Sequence, residues 1–265
     1  MNTRSYLGAR DPTVKLAVAL VLSLLLLAVI DPVTPLLVLA GTVGAGTIFG
    51  RIPAGTYARA LAPLVLVALG FVWTYALFSR VADPASVLWS LGPMRLTLSG
   101  LLFGVAIGLR GLAIGAISVT FVLTTDPTRL VVSLIQNGRL PFRIGYPLLA
   151  AYRFLPFFRE ELGRIELARR VRGELAPASA GERLRRRAGA MVPLFVTAAR
   201  RATRIAIAMD ARGFAAARRR TYLRELPVTK GDLAFAAVAV LAGLSLLGAG
   251  VIGGWLRIWD GRFTL

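Results

Sequence analysis

Two stretches of the chain, RIELARRVRG at residues 164–173 and RIAIAMDARG at residues 204–213, share the pattern R-I-x-[L/I]-A-x-x-x-R-G. In each copy an alanine, Ala168 or Ala208, precedes an arginine, Arg172 or Arg212, by four residues, so the two lie on one helical face. The glycine that follows, Gly173 or Gly213, suits the left-handed residue that ends a helix. The alanine lets a partner approach closely. The arginine, one residue from the helix end, offers a planar donor fork to a carboxylate or carbonyl on that partner. Arginine in a last turn and glycine at a cap are favoured in any helix by the dipole and the cap. One copy therefore carries little information, whereas two copies at the same offset on consecutive helices point to two equivalent docking knobs and a partner with two equivalent sockets.

Other chemistry is scarce. Cysteine and histidine are both absent, which removes disulfides, thiol chemistry and the two commonest soft metal ligands. Only two lysines occur, Lys15 and Lys230, and neither sits in a G-x-x-x-x-G-K-[S/T] phosphate loop, so the chain is not expected to bind ATP by that route. A membrane-embedded enzyme, such as a lipid-modifying transferase, needs convergent carboxylates, His or Cys near the interface, and only the isolated Asp11, Asp31 and Asp126 are on offer. Glu160, Glu161 and Glu166 read as i to i+3 or i+4 partners of Arg164, Arg169 and Arg170.

The elements that must carry the repeated motif follow from composition. A 265-residue chain that is 56% hydrophobic and 17% charged, with mean hydropathy +0.69, is a membrane protein by composition. Crossing a hydrocarbon core of about 30 Å takes roughly 20 residues of helix. Five apolar runs qualify, at about 12–30, 33–49, 61–78, 98–123 and 233–252. The turn DPVTP joins the first two, and the segment with Trp89 before the fourth reads as interfacial. Trp255 and Trp259 read as an interfacial belt beyond the fifth, and the first apolar run is too long for a cleaved signal peptide.

Between the fourth and fifth runs, residues 129–230 hold 22 Lys and Arg against seven Asp and Glu. Short basic loops stay cytoplasmic, so an inside N-terminus is expected, with this module inside and the C-terminus outside; Arg80, Arg95, Arg257 and Arg262 then fall outside. Charges interleave with apolar residues at three- and four-residue spacing, which reads as helix. Punctuation divides the module into a short amphipathic helix near 126–136, a break at NGRLP, and long helices at about 146–172 and 181–212, which Pro156 and Pro193 should kink or interrupt. The clusters RRR at 185–187 and 218–220 read as a solvated or headgroup-facing surface and not as a nucleic-acid site. The expected class is all-α and polytopic: helices 1–4 in residues 1–123, a cytoplasmic coupling module in 124–230, and the last span with its external C-terminus in 231–265.

Within the fourth run, Gly100, Gly104 and Gly108, then Gly111 and Gly115, form small-xxx-small ridges. They fit either packing within the bundle or a face for another membrane subunit. Arg110 lies among them, as an intramembrane functional residue or as one paired inside the bundle.

GRLPFRIGYPLLAAYRFLPFFREELGRIELARRVRGE and MVPLFVTAARRATRIAIAMDARGF resemble the two signature regions of the transmembrane T component of energy-coupling factor transporters, the EcfT or CbiQ family. LTTDPTRLVVSLIQNGRLP and DPTVKLAVAL are similar to that family too, so the resemblance covers most of the chain and is weakest at about 31–97. In the family, two Ala-Arg-Gly motifs dock into grooves on two ATPase subunits. The corresponding positions are Val171, Arg172 and Gly173, and Ala211, Arg212 and Gly213; Val171 departs from the family's alanine. The resemblance implies a non-catalytic scaffold of a prokaryotic cell-membrane ABC importer. Its partners would be an ABC-type ATPase dimer of like or unlike subunits, which holds the ATP, and a separate small membrane subunit, which binds a vitamin or transition-metal ion. The rival is a conventional permease lining the path itself. It predicts polar residues converging at mid-membrane, where the first and third runs offer little beyond Ser23 and Thr74.

Overall fold

The structure, a computed structural model, describes residues 5–78, 87–91, 94–173, 179–214, 222 and 225–253, with 87–91 and 94–96 described by their backbone alone. Trp255, Trp259, Arg80, Arg257, Arg262 and the cluster at 218–220 lie outside the described residues. So do the side chains of Trp89 and Arg95. Nine helices, numbered in chain order, and one short β-ribbon make up the described chain.

Each apolar run forms a helix. They are α2 (Pro12–Leu27), α3 (Val33–Ile48), α4 (Ala54–Phe78), α5 (Leu98–Thr124) and α9 (Lys230–Ile252), with a one-turn helix α1 (Tyr6–Ala9) in front. Helices α4, α5 and α9 are long and apolar enough to cross a membrane. Helices α2 and α3 have 16 residues each, about 24 Å of rise and so a little short of a 30 Å core. Leu66, Leu69 and Trp73 on α4 and Val238 and Leu241 on α9 are exposed, as expected of helices whose solvent is lipid. The segment read as interfacial is an antiparallel ribbon, β1 (Val87–Leu91) with β2 (Met94–Thr97), whose register shifts between Val87 and Trp89. The rest of the described chain is all-α.

Two compact units divide the chain, residues 1–133 with 226–265 and residues 134–225. In the first, the glycine ridge of α5 packs on α4. A Cβ on Gly104 would stand 2.8 Å from Cα of Val72, and one on Gly108 would stand 3.2 Å from Cβ of Ala68, whereas one on Gly111 would meet nothing within 4 Å. Gly104 and Gly108 thus permit the close α4–α5 approach, and Gly100 sits at the capped start of α5, its N–H donating to Oγ1 of Thr97 at 3.2 Å. Arg110 donates from Nη2 to the carbonyl of Val29, just past the end of α2. An intramembrane guanidinium is thereby spent on a backbone acceptor inside the bundle.

In the second unit α7 (Phe142–Val171) and α8 (Ala180–Ala211) run without a break, while α6 (Pro127–Gln136) lies across the division. Pro147 and Pro156 are inside α7 and Pro193 is inside α8, so Pro156 and Pro193 do not interrupt their helices. The physical reason at Pro156 is lateral support. Phe154 and Phe157 flank it, and Arg201 of α8 stacks on both rings, at 4.8 and 3.9 Å. A proline costs one backbone hydrogen bond, and this clamp holds the helix across the gap.

Candidate functional site

The two Arg-Gly motifs are built by local rules that can be followed atom by atom. Arg172 is the C-cap of α7, with φ −78° and ψ 5°, and Arg212 is the C-cap of α8, with φ −90° and ψ 11°. Gly173 and Gly213 follow at φ +84° and +72°, the left-handed region that a residue with a Cβ avoids. The N–H of Gly173 donates to the carbonyl of Arg170 at 3.0 Å, and that of Gly213 to the carbonyl of Asp210 at 2.9 Å. At the second copy the N–H of Phe214 also closes on the carbonyl of Met209 at 3.0 Å. These are the bonds of a glycine-terminated helix, and they satisfy carbonyls that the helix leaves open.

The copies also match in what they expose. Ile165 and Arg169 in the first, and Ile205 and Met209 in the second, are half-buried, and the other eight positions of each decapeptide are exposed. Ala168, Val171, Arg172 and Gly173 are therefore open, as are Ala208, Ala211, Arg212 and Gly213. Exposure is alike even at the variable position, Leu167 at 61% and Ile207 at 63%, and the departure Val171 is 88% exposed. An exposed aliphatic residue beside an exposed arginine on each helix leaves the same mixed apolar and cationic surface twice.

Contacts made by three residues, Phe214, Arg201 and Arg169, give the relation of the two helices. Phe214 packs edge-on against Phe142 and Tyr146, Arg201 covers Phe157, and Nη1 of Arg169 donates to the carbonyl of Arg186 at 2.8 Å. Positions rise on α7 as they fall on α8, so the pair is antiparallel. The Gly213 turn stands by the beginning of α7 and the Gly173 turn at its end, 27 residues from Tyr146, or roughly 40 Å of helix. The expected intrahelical pairs form for Arg164 with Glu161 (3.8 Å) and Arg170 with Glu166 (3.3 Å). Arg169 departs from that pattern: it reaches across to α8, because its half-buried position faces the neighbouring helix.

One cluster escaped the sequence reading. Asp11, read as an isolated carboxylate, caps α2 by accepting from the N–H groups of Thr13 (2.9 Å) and Val14 (3.1 Å) and also accepts from Oγ of Ser133 at 2.7 Å. Its own N–H donates to Oδ1 of Asp232 at 3.1 Å. Asp232 is paired with Arg10 at 3.7 Å and closes a capping box with Thr229 at the start of α9. Lys15 is buried nearby, its ammonium donating to the carbonyls of Leu7 and Thr124 at 3.0 and 2.9 Å. The signal available was an Asp-Pro opening one apolar helix and a Thr-x-x-Asp box opening another; nothing local says that the two meet.

Residues 4–223 match the family described as "CbiQ: Cobalt transport protein". The chain is 32% identical over 247 residues to the energy-coupling factor transporter transmembrane protein EcfT of Thermosediminibacter oceani, covering 89% of this chain and 91% of that protein. It is 30% identical to the proteins of the same name from Limosilactobacillus fermentum, over 91% of each chain, and Acidaminococcus fermentans, over 83% of this chain and 81% of that one. With the family model matched over residues 4–223 and identities of 30–32% over most of each chain, the chain belongs to the CbiQ/EcfT family of energy-coupling factor transporter transmembrane proteins.

Proposed function

We propose that this protein is the scaffold and coupling subunit of an energy-coupling factor importer. ATP is bound and hydrolysed by two partner ATPase subunits. The ends of α7 and α8 dock one on each, and the motion of the ATPases is carried to the membrane helices, which re-orient a separate substrate-binding membrane subunit. Arg172 and Arg212 are the contact residues, with Ala168 and Ala208 giving clearance and Gly173 and Gly213 holding the helix ends open. The observation that carries this reading is the residue-for-residue match in exposure of the two decapeptides, at opposite ends of an antiparallel helix pair. A two-fold partner asks for just such a pair of like surfaces held apart.

A coupling role, as distinct from lining the substrate path, is supported by the cavity in the first unit. This half-open space of about 520 Å³ lies between α1, α2, α3, α5 and α9, and Lys15 is the one charged residue in its lining. The lysine ammonium is already committed to two carbonyls, so nothing ionic is left to select a polar cargo. The cargo is a vitamin or a metal ion chosen by the separate subunit, the latter in keeping with the cobalt transport named in the family description. The basic module faces the cytoplasm, with the N-terminus on the same side and the C-terminus outside.

Purification of the tagged protein from its native membrane in mild detergent tests this. Two ATPase subunits and one small membrane protein should accompany it. A monodisperse protein that moves substrate without any ATPase contradicts the proposal.

A further inference from the structure

The chain leaves the first unit at Ser133 and returns to it at Leu226, and both passages are bonded to the same residue. Ser133, fully buried on α6, donates to the carboxylate of Asp11 at 2.7 Å. With its proton spent there, its oxygen is left to accept from Oγ1 of Thr13, 2.6 Å away. On the return, Asp232 accepts the N–H of Asp11 at 3.1 Å and holds Thr229 through N–H and hydroxyl, at 2.9 and 2.7 Å. Arg129, one turn before Ser133, adds a bond of 3.0 Å from Nη1 to the carbonyl of Gly8. These links join residues 121, 122 and 221 positions apart. Asp11, Ser133 and Asp232 are all buried, and a buried charge-assisted bond is stiff because breaking it strands a desolvated group.

From this we infer that Asp11 is a positioning residue for coupling: it ties the outgoing helix α6 and the incoming cap of α9 to the start of α2, so that displacement entering through either passage moves α2 and α9 together and is not absorbed by slack chain. The inference rests on the coupling function proposed above. It predicts that weakening the joint separates ATPase action from movement of the membrane helices while assembly persists.

The chain has no cysteine, so single reporters are clean. Val238→Cys on α9 and Leu184→Cys on α8 are exposed positions; each carries an environment-sensitive fluorophore in the complex with its co-purified ATPases, and after ATP hydrolysis the ADP is trapped with vanadate in place of the released phosphate. Both reporters should respond in the otherwise unaltered protein. In Ser133→Ala and in Asp11→Asn the α8 response and ATPase retention should persist while the α9 response falls about tenfold, the worth of one charge-assisted hydrogen bond. Ser133→Thr keeps the hydroxyl and should restore it. An undiminished α9 response in Ser133→Ala overturns the inference. So does loss of ATPases or of folded complex in that mild variant, which would make the joint structural only. Absence of ATPases from the unaltered complex would instead be a failure of the proposed function.

Discussion

Phe214 packs edge-to-face on Tyr146, with ring centroids 6.0 Å apart, and so pins the end of α8 to the beginning of α7. Arg212 is two residues before Phe214, while Arg172 ends α7 far from Tyr146. The antiparallel pairing thus turns a sequence repeat into two like surfaces at opposite ends of one structural unit. Their separation follows from the length of α7.

Gly173 and Gly213 sit at positive φ, where a Cβ costs about 1–2 kcal/mol. Replacing either by Ala should loosen the helix end and reduce ATPase retention, and replacement by Asn, which tolerates the left-handed region, should cost less. Quantifying the ATPases that co-purify with each variant checks the order Gly, Asn, Ala.

The glycines of α5 divide by what they face. Gly104→Val should destabilise the bundle by about 1–3 kcal/mol through overpacking against Val72, whereas Gly111→Ala, with nothing within 4 Å of its Cβ, should leave the melting temperature of the detergent-solubilised protein unchanged or raised, since glycine inside a helix costs about 0.5–1 kcal/mol relative to alanine. An equal effect at both positions would mean that the ridge is not organised by the α4 contact.

Orientation is open to single-cysteine labelling, because the natural chain has no thiol. Ser179→Cys, just before α8, should react with a membrane-impermeant maleimide only after the cells are opened. Reaction in intact cells would reverse the topology, and with it the side proposed for ATPase docking.

Much of this anatomy was legible in the sequence because it depends on local rules. Apolar runs of sufficient length mark α4, α5 and α9, and Arg-Gly at the end of an amphipathic pattern marks a capped helix end whatever surrounds it. That α7 runs through Pro156 without interruption was not legible, because the stacking of Arg201 on Phe154 and Phe157 is a contact between helices that no local window holds. The joint at Asp11 was invisible for the same reason, its partners Ser133 and Asp232 lying 122 and 221 residues away. The ribbon at 87–97 was hidden by aromatic and apolar residues that suit a membrane interface as well as a strand.

The most direct test is a comparison of Arg172→Ala, Arg212→Ala and the double variant, with the ATPases retained on the purified complex as the measured quantity. Each arginine removed should cost about 2–5 kcal/mol if it leaves a buried carboxylate unpaired in its socket. Two tethered contacts bind with an avidity that one lacks, so each single variant should keep part of the ATPase and lose transport, and the double variant should keep none. Lysine at either position should restore retention only in part, since an ammonium lacks the planar fork. Full retention and transport in the double variant would contradict the docking role and reduce the repeat to a well-capped helix end used twice.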